Sequence, residues 1–146
     1  MNQTQDFYKH TQIGTLTIVL LAIIALFIAG VITAVNSWNW GFILVLVILL
    51  IVGLLSATLT VEVRNDYLKC WFSFGVIRRE FPLSDIVEAA AVKNHWYYGW
   101  GIRKIPQGLM FNVSGLDAVE ITLKSGKKFR IGTDQPTQLE AAIRQG

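Results

Sequence analysis

The sequence predicts a membrane protein in two parts. The first is an N-terminal antiparallel transmembrane α-hairpin. The second is a seven-stranded β-barrel or sandwich capped by a C-terminal α-helix. Three observations carry this fold class. Two uncharged apolar runs, 13–35 and 41–59, lie five residues apart. From residue 59 onward, apolar residues recur at every second position, which is half-buried strand patterning. The chain then ends on DQPTQLEAAI at 134–143, an amphipathic stretch with proline in its first turn.

Composition agrees. Of 146 residues, 53% are hydrophobic and only 16% charged, with a mean hydropathy of +0.46. An ordinary soluble domain carries about 25% charged residues, so the apolar excess must be concentrated, and it lies in the first 60 positions. Residues 1–12 read as a cytoplasmic N-terminal segment. The run 13–35 would span about 35 Å as a helix, enough for a hydrocarbon core of about 30 Å. It is too long for a signal-peptide core, and a second span follows at once. The linker Asn36-Ser37-Trp38-Asn39-Trp40 holds no cation, whereas Lys9 precedes the first span and Arg64, Lys69, Arg78 and Arg79 follow the second. The Lys/Arg bias therefore puts both termini in the cytoplasm and makes the chain a multi-pass protein of the cell (inner) membrane. Trp38 and Trp40 would occupy the outer interface, Phe7 and Tyr8 the inner one. No ionisable residue falls inside either run, which argues against an ion or proton path. Small residues recur at helix-packing spacing in Ala25-xxx-Ala29, Gly30-xxx-Ala34 and Gly53-xxx-Ala57. They serve packing within the hairpin, against a partner protein or against a second copy of the chain as a homo-oligomer.

Residues 60–146 form the cytoplasmic domain. Leu59, Val61 and Val63 alternate with Thr60 and Glu62, and Leu68, Cys70, Phe72 and Phe74 alternate with Lys69, Trp71 and Ser73. A two-residue turn at Asn65-Asp66 pairs Val61 with Cys70 on the inner face and Glu62 with Lys69 on the outer face. Strands are expected at 76–82, 86–92 and 108–113. In the last hairpin, a three-residue loop Lys124-Ser125-Gly126 sets Ile121 across from Phe129 and Glu120 across from Arg130, with Gly126 in the left-handed position. A one-residue slip would expose the whole apolar face. The closing helix presents Leu139, Ala142 and Ile143 as its stripe.

Seven strands and a final helix, behind a two-helix anchor, resemble the bacterial PH-like (bPH) domain membrane proteins of uncharacterised function. The resemblance rests on RREFPLSDI at 78–86, WYYGWGIR at 96–103 and VSGLDAVEITLKSGKKFRIGTDQP at 113–136. It implies a fold and a location and supplies no catalytic residues.

The segment HWYYGWGIRK at 95–104 is the least ordinary. Its functional candidates are Trp96, Tyr97, Tyr98, Trp100, Arg103 and Lys104. As a loop it would close one end of the barrel, lie on the membrane, or meet a partner protein. Trp and Tyr favour the bilayer interface and protein hot spots alike, and cations favour anionic lipid. His95 has no H-x-x-H or C-x-x-C neighbour and Cys70 is alone, so no metal, cofactor or catalytic device is expected and the chain does not read as an enzyme. Cations alternate with acids along the strands, which argues against nucleic acid. The reading is therefore a membrane-anchored interaction or scaffold module without chemistry of its own. Its alternatives are a lipid-headgroup sensor and an accessory subunit of a membrane transporter or complex. The expected partners are membrane lipid and a membrane or cytoplasmic protein.

Overall fold

A computed structural model describes residues 8–35 and 39–146. Phe7 and Trp38, expected at the two interfaces, lie outside the described residues. Helix α1 (Thr15–Val35) has 21 residues and is long and apolar enough to cross a membrane. Helix α2 (Trp40–Ser56) is shorter at 17 residues, equally apolar, and runs back alongside α1. Asn39 caps it, its side chain accepting from the Gly41 amide at 2.8 Å. A Cβ added at Gly53 would come within 3.1 Å of Leu21, so this glycine does serve packing inside the pair; Gly30 has nothing near it.

The helices are flanked by nine strands among the described residues, not seven. They are β1 (Tyr8–Ile13), β2 (Thr58–Arg64), β3 (Tyr67–Phe72), β4 (Arg78–Pro82), β5 (Ile86–Lys93), β6 (Gly101–Ile105), β7 (Gly108–Asn112), β8 (Asp117–Leu123) and β9 (Lys128–Gly132), followed by helix α3 (Pro136–Gln145). They form two sheets, ordered β1-β2-β3-β4 and β5-β8-β9-β7-β6. The expected alternatives of barrel and sandwich resolve against a closed barrel. A turn of 3-10 helix at Leu83–Asp85 carries the chain from one sheet to the other, and no described strand of one pairs with a strand of the other.

The first unexpected strand changes how the helix pair is attached. The sequence pattern sets residues 1–12 apart as a separate segment ahead of the helices. Instead β1 pairs antiparallel with β2, from Tyr8 opposite Val63 to Ile13 opposite Thr58. The apolar helix pair is thus inserted between two neighbouring strands of one sheet, where a hairpin turn would otherwise be. The expected second run, 41–59, is cut short for the same reason. Helix α2 stops at Ser56 because Thr58 and Leu59 are drawn into the sheet.

Both hairpin registers agree with the parity argument. Val61 faces Cys70, Glu62 faces Lys69, and Asn65 takes a φ of 50° in the turn. Ile121 faces Phe129, Glu120 faces Arg130, and Gly126 has a φ of 79°. On the outer face of the first sheet, register aligns Lys9, Glu62, Lys69 and Glu80 in one row of alternating charge. Opposite charges directly across strands are favourable by about 0.2–1 kcal/mol per pair. The core lies between the sheets, centred on Leu68, Phe111, Val119, Ile121 and Ile131, with Leu139 and Ile143 of α3 closing one side and Ala142 packed against it. Cys70 belongs to this core. Its burial pushes the thiol up to about 12, against a smaller opposing influence from Arg79.

Two expected strands end earlier or begin later than their patterns suggest. Alternation puts Phe74 with the inward set of β3 and makes 76–82 one strand. The ladder stops at Phe72, Ser73 and Gly75 take φ of 34° and 76°, and Phe74 swings out to solvent. The turn occupies 73–77, and β4 starts at Arg78.

Candidate membrane-contact site

The junction between helices and sheets is tight. The Gly14 amide donates to the Ala57 carbonyl at 2.7 Å, closing the two chain crossings on each other. A Cβ on Gly14 would meet three backbone oxygens, of Val113, Ala57 and Ser56, at 3.1–3.2 Å. The Thr17 hydroxyl donates to the Val113 carbonyl at 3.2 Å, and the inward Gln12 donates to Ser114 O at 3.1 Å, so both helix and strand reach across to the segment that follows β7. Ser73 donates its amide to Thr58 O at 2.9 Å, and its hydroxyl accepts from the Thr58 amide at 3.3 Å. Thr58 lies two residues beyond the end of α2. The ends of both sheets therefore abut the helix ends, with no spacer.

Against that frame, the structure divides the 95–104 segment. Only its first half is the loop expected from composition. Trp96–Tyr98 forms a 3-10 turn in which His95 stacks on Tyr97 at 5.0 Å and Tyr98 stands edge-on to both. Trp96 and Tyr97 remain 76% and 62% exposed. Tyr98 is half-buried, and its hydroxyl donates to Gln107 Oε1 at 3.4 Å. From Gly101 onward the chain is an edge strand, paired with β7 from Gly101 opposite Asn112 to Ile105 opposite Gly108. The cations Arg103 and Lys104 lie on this edge, where charge blocks pairing with another sheet.

Trp100, Ile102 and Arg103 lie beside the helix pair. Together with Leu16 and Leu20 of α1, Leu55 of α2 and Ile77 of the β3–β4 turn, they line a cleft of about 680 Å³. Arg103 Nε donates to the Trp100 carbonyl at 3.1 Å, which fixes the guanidinium beside the tryptophan. Trp100 Nε1 is buried without a hydrogen-bond partner. Trp96, Tyr97, Tyr98 and Lys104 do not line the cleft.

Sequence reasoning missed the other wall. Phe74 and Val76 are 76% and 72% exposed at the tip of the β3–β4 turn, and Ile77 is on the cleft. Arg78 and Arg79 follow directly and are exposed. The available signal was Gly75 within an apolar pentapeptide, SFGVI at 73–77, because an isolated glycine in a strand pattern marks a turn or bulge.

Elsewhere the polar side chains serve the fold. Glu120 binds Arg130 at 2.7 Å and Lys128 at 3.0 Å. Burial alone would raise its pKa, but hydrogen bonds from Arg130 and Lys128, with their charges, outweigh it and hold the carboxyl below its usual range. His10 meets Asp134 at 2.5 Å, tying β1 to the entry of α3. Among the described residues no group of three His, Cys, Asp or Glu could hold a metal ion. Compared with protein-family models the chain matches none, and no curated protein is significantly similar to it.

Proposed function

We propose that this chain is a membrane-anchored PH-like interaction module without chemistry of its own. In this reading α1 and α2 both cross the cell membrane, both termini are cytoplasmic, and the β-domain sits on the inner surface and docks a partner protein there. The observation that carries it is the exposed turn Trp96–Tyr98 on a domain clamped to its anchor. Its rings are braced by His95 and Tyr98, so they lose little freedom on binding. Rigid Trp and Tyr side chains are frequent anchors of protein interfaces. A photo-crosslinker placed at Tyr97 in the full chain, activated in native membranes, tests this. A discrete protein adduct that disappears with Trp96→Ala supports the reading. Adducts to lipid alone would overturn it in favour of a headgroup sensor.

A second reading has its own observation. The face of the helix pair lined by Ala22, Ala25, Gly53 and Ala57 leaves a groove of about 490 Å³. Small residues let a neighbouring helix approach closely, which favours an accessory subunit. Crosslinks from Ala25 to another membrane protein would support it.

A further inference from the structure

Resting on the reading that the helices cross a membrane, we propose that the cleft at the helix–domain junction binds a single anionic phospholipid, with its phosphate at Arg103 and its acyl region against α1 and α2. The cleft combines a largely apolar wall with a small polar corner. Its two wall hydroxyls are already committed: Thr17 donates to Val113 O, and Ser56 donates to Val52 O within its own helix. Asn112 is committed too, donating to Gly115 O at 3.1 Å and accepting from the Ser114 amide at 3.3 Å. The donor left at the cleft is the Arg103 guanidinium, which uses only Nε, toward the Trp100 carbonyl.

The charged fork of arginine matches a phosphate. The occupant therefore carries one anionic oxygen-rich end and a long apolar body. The walls decide its source. Leu16 and Leu20 belong to the helix long enough to cross a membrane, and on the proposed reading that it does so the cleft opens at the height where phosphates meet acyl chains. Its volume of about 680 Å³ falls within the ~300–1,000 Å³ of small-molecule sites, room for a phosphate and the upper part of a chain.

The test uses the full chain reconstituted in mixed phosphatidylcholine and phosphatidylglycerol vesicles, then released in mild detergent and weighed by native mass spectrometry. Wild type should retain one phosphatidylglycerol. Arg103→Gln should lower retention about tenfold or more, a loss of the size expected for a charge-assisted phosphate contact. Ile77→Trp, which fills the cleft from an exposed position, should do the same. Lys127→Gln removes one charge from the distant β8–β9 loop and should leave retention unchanged, as should Trp96→Ala. Near-UV circular dichroism reports that each variant is folded. Equal losses in Arg103→Gln and Lys127→Gln would reduce the effect to general surface charge and overturn the site. Retention by Ile77→Trp at the wild-type level, or a folded wild type that retains no lipid, would overturn it as well. The partner-protein reading depends on Trp96 and Tyr97 and is read by their crosslinks, so either proposal can fail alone.

Discussion

The turns at 73–77 and 96–98 both expose large apolar side chains, yet they are held differently. The first hangs on Thr58, two residues past the end of α2, through two hydrogen bonds to Ser73. The second is braced by its own rings and by Gln107, with no described hydrogen bond to the helices. Exposure alone would rank them equal, with Phe74 and Trp96 both at 76%. Attachment separates them: the first is committed to the height of the helix ends, and the second is free to meet something else. A side chain's surroundings follow from what the backbone beneath it is tied to.

The strongest way to break this contrast is to loosen the clamp. Gly14→Val places side-chain carbons against three backbone carbonyls that cannot retreat without opening the junction. Overpacking of this kind should cost about 3 kcal/mol, measured as a lowered midpoint of thermal unfolding in detergent. A change under about 0.5 kcal/mol, the ordinary range for a surface site, would mean the crossings are not held together.

The next effect sharpens the division inside the 95–104 segment. Trp100→Ala removes a half-buried ring from the cleft and should cost about 2 kcal/mol, below the ~3–5 kcal/mol of fully buried aromatics. Trp96→Ala should stay within about 0.5 kcal/mol. Equal costs in denaturant titrations would erase the distinction.

The smallest effect lies outside both turns and serves as their control. Glu120→Lys should cost up to about 1 kcal/mol, and adding Arg130→Glu should recover much of it. Because the folded-state pKa of Glu120 is depressed, its contribution is present above the ordinary carboxylate range and is lost as pH falls through the lower folded value. Glu120→Gln should therefore flatten the acid limb of the stability–pH curve. An unchanged limb would place that dependence elsewhere.

Much of the fold was legible because two periodicities are strong here. Uncharged runs mark the helices, and alternation fixes both hairpin registers to the residue. Strand β1 was not legible because its inward residues are Tyr8, His10 and Gln12, while the apolar Ile13 faces out. Gln12 is buried against Ser114 O and His10 is held by Asp134, partners that only the fold brings near. Strand β6 was hidden by the aromatic run before it, and as an edge strand it carries cations in place of an alternating pattern. The site was half legible. Composition singled out Trp100 and Arg103. Phe74 and Val76 continued the apolar pattern of their neighbours, and only the positive φ at Ser73 and Gly75 turns them outward.

In the proposed membrane-anchored reading, the clamp sets the β3–β4 tip at the level of the bilayer. Site-directed spin labelling tests it most directly. Cys70 is buried and its thiol is pushed up to about 12, so a thiol-reactive nitroxide will label an introduced cysteine in its place. Val76→Cys and Lys127→Cys are made separately in the full chain, labelled and reconstituted in vesicles. Collision rates with oxygen and with a water-soluble nickel chelate then report depth. The label at 76 should favour oxygen, as at the headgroup–acyl boundary, and the label at 127 should favour the chelate. A label at 76 as accessible to the chelate as that at 127 would contradict the account.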